Sequence, residues 1–213
     1  MKPNHTALTL LALVAATSTA SAGAALVSGK VTGTAVTEAV VYIEKAAAPP
    51  PADPTRPKMA QRNTEFAPGS VVVVQGQKVD FPNEDKVFHN VFSPTPGNEF
   101  DLGLYRGGIS KSVQMQEPGE VEVFCNIHPN MSAKILVLQN GYFARAAADG
   151  SFSLANVPPG RYVLVAWSPN HEPVKKSIVV AASGVVKADF NLGARRDAGS
   201  HLNKNGEQYG RYK

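Results

Sequence analysis

The one cysteine of the chain, Cys125, is followed by His128 at the third position and Met131 at the sixth. A soft thiolate, an imidazole and a thioether within one short loop form a donor set that favours copper. One more strong ligand is needed, and it need not be close in sequence. The stretch 79–93 supplies His89, followed directly by Asn90. Two His, one Cys and a weak axial Met suit a blue-copper electron-transfer site. Zinc held by the same His, His and Cys is the competing metal, and a thioether in the axial place argues against it. An isolated C-x-x-H is ordinarily a buried Cys beside a loop His. Here the spacing to Met131, the upstream His-Asn pair and the absence of a second cysteine set the segment apart.

Such a site needs Cys125 as thiolate and both imidazoles neutral. It also needs a stiff frame, so that oxidised and reduced metal see one geometry. The local patterns supply strands. Residues 121–124 alternate and lead straight into Cys125, and 133–138 follow the loop. Residues 87–92 read as a strand with His89 near its middle. Further strands are expected at 71–74, 78–81 and 110–115, with turns at 66–69, 94–98 and 117–119. On either side lie strand-like runs at 26–32 and 39–44, and at 152–154, 161–167, 178–180 and 187–192. No long amphipathic helix is expected after the first segment. The fold class is all-β.

Composition agrees. The 213 residues are 43% apolar and 18% charged, with 18 Gly and 16 Pro, which suits short strands joined by turns. Residues 1–22 read as a cleaved export signal, with Lys2, an apolar run from 7 to 16 and Ala20-Ser21-Ala22 as the cleavage site. The run is too short to span a bilayer, and no later stretch is longer, so no membrane span is expected after cleavage. The expected location is the periplasm. A lone cysteine in an oxidising compartment calls for a partner or a metal. Five of the twelve residues from 46 to 57 are proline, an extended linker. Residues 23–192 carry 15 basic and 15 acidic side chains, whereas 193–213 carry five and two. A nucleic-acid binder would need a basic body, so none is expected. The basic tail has no periodicity and is expected to be disordered or ordered by a partner, with a docking arm for an acidic redox protein as its functional reading. His171 is expected in a surface turn, and Trp167 in core or rim packing.

Residues 66–138 resemble the cupredoxin (plastocyanin-like) family, and the Cys-x-x-His-x-x-Met loop looks most like the amicyanin type. Chains of this combined layout are often labelled methylamine-utilisation proteins. The resemblance implies that His89, Cys125 and His128 are equatorial ligands of one type 1 copper and that Met131 is axial. It makes Asn90 the residue that ties the two ligand loops. It also places the His128 ring edge at the surface, in an apolar patch to which Pro129 and the 94–98 loop contribute. Residues 141–192 resemble the carboxypeptidase regulatory-like (transthyretin-like) module, on Asp149-Gly150, Phe152, Leu154, the turn 157–160, Tyr162, Leu164, Asp189, Phe190 and Leu192. The missing opening of that module matches Val27, Gly29, Val31 and residues 39–43.

The expected organisation is a signal at 1–22, opening strands at 23–45, a linker at 46–58, a Greek-key cupredoxin barrel at 59–139, a small β-sandwich at 140–192 and a tail at 193–213. The opening strands belong either to the sandwich, which makes the barrel an insertion, or to the barrel. The expected function is a periplasmic blue copper protein carrying single electrons between an unidentified donor and acceptor, such as a cytochrome or a dehydrogenase. No catalytic residues are expected: a multicopper oxidase needs more His than the four outside the signal, and a dinuclear centre needs two Cys. A monomer is expected. The alternatives are a copper-binding or delivery protein, and a carbohydrate- or protein-docking sandwich with an accessory copper site.

Overall fold

In the computed structural model, residues 25–46, 56–196 and 201–209 are described. The expected signal and the 47–55 part of the linker lie outside them. Every regular element among the described residues is a strand, as the sequence predicts, and none of them forms a helix long and apolar enough to cross a membrane.

The described chain opens with β1 (Ala25–Thr32) and β2 (Val40–Ile43). Val27, Val31, Val41 and Ile43 are buried on one side, the period-2 pattern of a sheet packed on one face. The hairpin of β3 (Ala60–Arg62) and β4 (Glu65–Ala67) was not legible as strands. Its two-residue turn, Asn63 and Thr64, has φ of 55° and 56°, the left-handed geometry that matches strand twist in tight hairpins.

The barrel continues with β5 (Ser70–Val74), β6 (Lys78–Pro82), β7 (His89–Ser93), β8 (Phe100–Tyr105), β9 (Ser110–Gln114), β10 (Gly119–Cys125) and β11 (Ser132–Leu138). One sheet runs β5-β11-β10-β7-β8, and β6 pairs with β9 beside it. β7 starts at His89, so His89 opens the strand and Val87 and Phe88 precede it. β8 was not foreseen, because Leu102, Gly103 and Leu104 carry no clean alternation. The barrel core includes Phe81, Val91, Val121, Val123, Cys125 and Met131.

After the barrel come β12 (Phe143–Arg145), β13 (Ser151–Val157), β14 (Gly160–Trp167), β15 (Val174–Val180), β16 (Val185–Lys187) and β17 (Phe190–Asn191). They form two sheets with the opening strands. β1 lies between β13 and β16 and also pairs with β17; β2 lies between β12 and β14. Strand β1 passes so close to its neighbour that a Cβ on Gly29 would meet Ala188 O at 2.0 Å. Thus β1 and β2 hydrogen-bond to strands more than 100 residues away and not to the barrel.

The two units share an apolar contact of Val40 and Trp167 with Val72, Leu136 and Leu138. This explains why β5 is buried at all five positions: one face fills the barrel, and the other lies under the sandwich. Trp167 donates Nε1–H to Glu120 Oε2 at 2.6 Å across the junction. His171 is buried, not in an exposed turn. Its ring nitrogens face the carbonyls of Pro169 and Thr34, each at 3.0 Å, because the 168–171 turn folds under the β1–β2 connection.

Residues 201–209 correct the expectation of an unstructured tail. They lie against the barrel beside Cys125, with Tyr209 Oη donating to Cys125 O at 2.8 Å. Residues 197–200 and 210–213 lie outside the described residues.

Candidate metal centre

Strand β10 points Val121, Val123 and Cys125 inward, all with no exposed surface. Its neighbour β7 runs antiparallel, with Cys125 opposite Val91. His89 is two residues from Val91, hence on the same inner face, and is fully buried. After Cys125 the chain turns back. Met131 N donates to His128 O at 3.0 Å, and Cys125 N donates to Met131 O at 3.2 Å. These two bonds close the 125–131 loop and return Met131, 1% exposed, to the apolar cluster that holds Cys125.

The result is a convergent triad. Cys125 Sγ lies 3.7 Å from His89 Nδ1 and 3.5 Å from His128 Nδ1, and the two Nδ1 atoms are 3.1 Å apart. The point equidistant from these three atoms in their plane is about 2 Å from each, the length of a metal–imidazole bond. One thiolate and two imidazole nitrogens at that spacing fit a metal ion, and the soft sulfur with buried Met131 beside it suits copper.

The surroundings prepare each donor. Burial opposes ionisation of Cys125, but the hydrogen bond to His89 and the backbone N–H groups of Asn90, Ile127 and His128 outweigh it and lower the thiol pKa. Burial likewise opposes charge on His89, yet its bonds to the Cys125 sulfur and the Asp85 carboxylate raise its pKa. Burial and the charge of His89 together push His128 down, towards the neutral ring that a metal requires.

Asp85 is the functional residue that sequence reasoning missed. Its Oδ2 meets His89 Nε2 at 2.9 Å, so in the neutral ring an N–H there leaves the Nδ1 lone pair facing the triad. The carboxylate is fixed by Asn63 N at 2.6 Å and Thr64 N at 3.0 Å, both in the β3–β4 turn. Burial tends to raise its pKa, but the Thr64, His89 and Asn63 bonds lower it. A carboxylate four residues before a His in a loop carries no periodic signal. Only the spacing of the two residues could have hinted at it.

Asn90 joins the two candidate-ligand segments, and it does so through its backbone. Its Nδ2 donates to Asp101 Oδ1 at 2.5 Å. The tie between the ligand segments is made by backbone: Asn126 N donates to Asn90 O at 2.8 Å. His128 is half-buried and Pro129 exposed. The 94–98 loop is at the other end of the barrel, where Asn98 Nδ2 donates to Glu117 O at 2.8 Å, before β10 begins. Antiparallel strands put the start of β10 beside the end of β7, so a loop after Ser93 cannot reach the end of β10 that carries Cys125.

Residues 131–188 match the family described as polysaccharide lyase family 4, domain II. Amicyanin-alpha of Methylorubrum extorquens is 33% identical over 130 residues, covering 60% of this chain and 97% of the relative. Among solved structures, a purple cupredoxin from Nitrosopumilus maritimus is 18% identical, with a TM-score of 0.35, over 38% of this chain and 98% of that one. A reduced amicyanin variant is 18% identical, with a TM-score of 0.37, over 46% of this chain and 97% of that one. By the near-complete span of the Methylorubrum relative, this chain belongs to the amicyanin-like cupredoxin family.

Proposed function

We propose that this protein carries single electrons on one type 1 copper held by His89, Cys125 and His128, with Met131 as the weak axial ligand. The observation that carries the reading is the triad itself, three donor atoms arranged around a point about 2 Å from each. When bound, copper supplies a one-electron couple. The chain supplies the rest. Asp85 fixes the His89 ring, and the amides of Asn90, Ile127 and His128 stabilise negative charge on the sulfur. The closed 125–131 loop and the paired β7 and β10 keep the donors in place, so little has to reorganise during transfer. Half-buried His128 beside exposed Pro129 gives a short way in for electrons. No substrate turnover is assigned.

Copper delivery is the rival reading. Delivery sites offer accessible thioethers or thiols, whereas Met59, Met115 and Met131 are all at most 1% exposed. The docking-sandwich reading is weakened by Trp167, which lies in the junction with the barrel and presents no open aromatic platform. The pairing of β1 and β2 with β12–β17 supports taking the barrel as an insertion into a carboxypeptidase regulatory-like sandwich. Export to the periplasm, an electron donor and acceptor there, and a monomeric state complete the proposal.

The test is the absorption and EPR spectrum of the protein after addition of copper(II), beside Cys125→Ser. An intense visible thiolate-to-copper band with narrow hyperfine splitting, lost in the variant, supports the reading. A colourless protein that takes zinc as readily as copper overturns it.

A further inference from the structure

The segment 201–209 contacts the barrel only a residue or two from the donor triad. Tyr209 Oη donates to the carbonyl of Cys125 at 2.8 Å. Lys204 N donates to Asn126 Oδ1 at 2.9 Å. The Lys204 ammonium meets Asp101 Oδ2 at 2.6 Å, and the other oxygen of that carboxylate accepts from Asn90 Nδ2 at 2.5 Å. Asn126 follows Cys125, and Asn90 follows His89. One lysine therefore reaches both ligand segments, through its backbone to the first and through Asp101 to the second.

The segment is seated as well as tethered. The His201 ring stacks on Phe124 with centroids 4.3 Å apart and planes 16° apart, and Tyr209 meets His201 edge-on at 5.3 Å. Phe124 points outward from β10, opposite to Cys125, so this stacking covers the outer side of the ligand strand. The segment holds its own shape: Asn203 Oδ1 accepts from Asn205 N at 2.9 Å and Glu207 N at 3.0 Å, and Asn203 N donates to Glu207 O at 2.9 Å.

We propose that residues 201–209 are a latch that holds the Cys125 loop and the His89 strand in register, with Tyr209 and Lys204 as positioning residues for the metal centre. The metal part of the proposal rests on the copper reading above; the clasping of the two ligand segments does not. Positioning groups outside the ligand set orient the ligands and tune the site. The Tyr209 hydroxyl acts on the ligand residue itself. It aims the positive end of its O–H dipole at the Cys125 peptide, which favours the more negative, reduced state of a metal there and raises the reduction potential.

The experiment compares the full chain with Tyr209→Phe, Lys204→Met and Lys204→Arg, first without metal. Tyr209→Phe keeps the aromatic edge and loses the hydroxyl, with its bond to Cys125 O and its 3.3 Å contact with His201 Nδ1. Amide exchange at Asn126 and alkylation of the Cys125 thiol should speed up in Tyr209→Phe and Lys204→Met by about two- to tenfold, the effect of one ordinary hydrogen bond. Lys204→Arg should retain the slow rates. In the copper-loaded protein, Tyr209→Phe should lower the reduction potential. Unchanged exchange and alkylation in both loosened variants overturns the latch, even if the protein is blue. Faster exchange in a protein that gives no thiolate–copper band upholds the clasp while the copper reading falls.

Discussion

The carboxylate of Asp85 accepts a hydrogen bond from His89 Nε2 at 2.9 Å and is itself held by the amides of Asn63 and Thr64. A hairpin turn remote in sequence thus sets the rotation of the His89 ring through one carboxylate. Asp85→Ala should weaken copper binding by about 10- to 100-fold, the usual cost of losing such a partner. Competitive titration against a chelator reads this, and unchanged affinity would show that the ring is held by packing alone.

Gly107 makes a related demand. A Cβ there would lie 2.0 Å from the Asp85 carbonyl oxygen, well inside contact distance, so Gly107→Ala must displace either the Asp85 backbone or the 106–109 turn. The expected outcome is a shifted copper EPR spectrum in a folded protein. An unaltered spectrum would mean that the 106–109 turn yields instead.

Met131 is buried beside Cys125 and is assigned the weak axial position. Met131→Gln puts a harder oxygen donor in its place, which favours the oxidised ion, so the reduction potential should fall while the thiolate band persists. Voltammetry checks this, and an unchanged potential would remove Met131 from the ligand set.

Trp167 joins the two units by packing and by its bond to Glu120. Trp167→Ala should cost about 3–5 kcal/mol. Trp167→Phe, which keeps most of the packing, should cost about 1.5–3 kcal/mol for the bond to a charged acceptor. Denaturant unfolding followed by circular dichroism measures both. A variant as stable as the unaltered protein would show that the junction contributes little.

Asp101 links acid stability to the tail. Burial tends to raise its pKa, but Lys204, Asn90 and Gly103 N outweigh it and hold the carboxyl below its ordinary 3.8. A depressed carboxylate stabilises the fold above its unfolded pKa, and that contribution is lost as pH falls through the folded value. Asp101→Asn should therefore be less stable than the unaltered protein at neutral pH, with the difference shrinking below about pH 4. A constant difference down to strong acid would contradict the linkage.

The candidate metal centre was legible to the extent that it is local. Cys125, His128 and Met131 sit in one loop, and the alternation before Cys125 fixes which way its side chain points. His89 was found because its residue type and the Asn90 after it stand out, although the contact spans 36 residues. The all-β class followed from short alternating runs and abundant turn residues, which local sterics largely decide. The partners of β1 and β2 are a different matter. Strand pairing is settled by which faces bury together, and 26–32 fits either a barrel or a sandwich until β13 and β14 are in place. The same holds for β5, whose unbroken apolar run acquires its meaning only when Trp167 covers Val72. Asp85, Lys204 and Tyr209 lay beyond sequence reasoning for one physical reason. A hydrogen bond depends on where two groups end up in space, and a polar residue in a loop carries no periodicity to announce its partner.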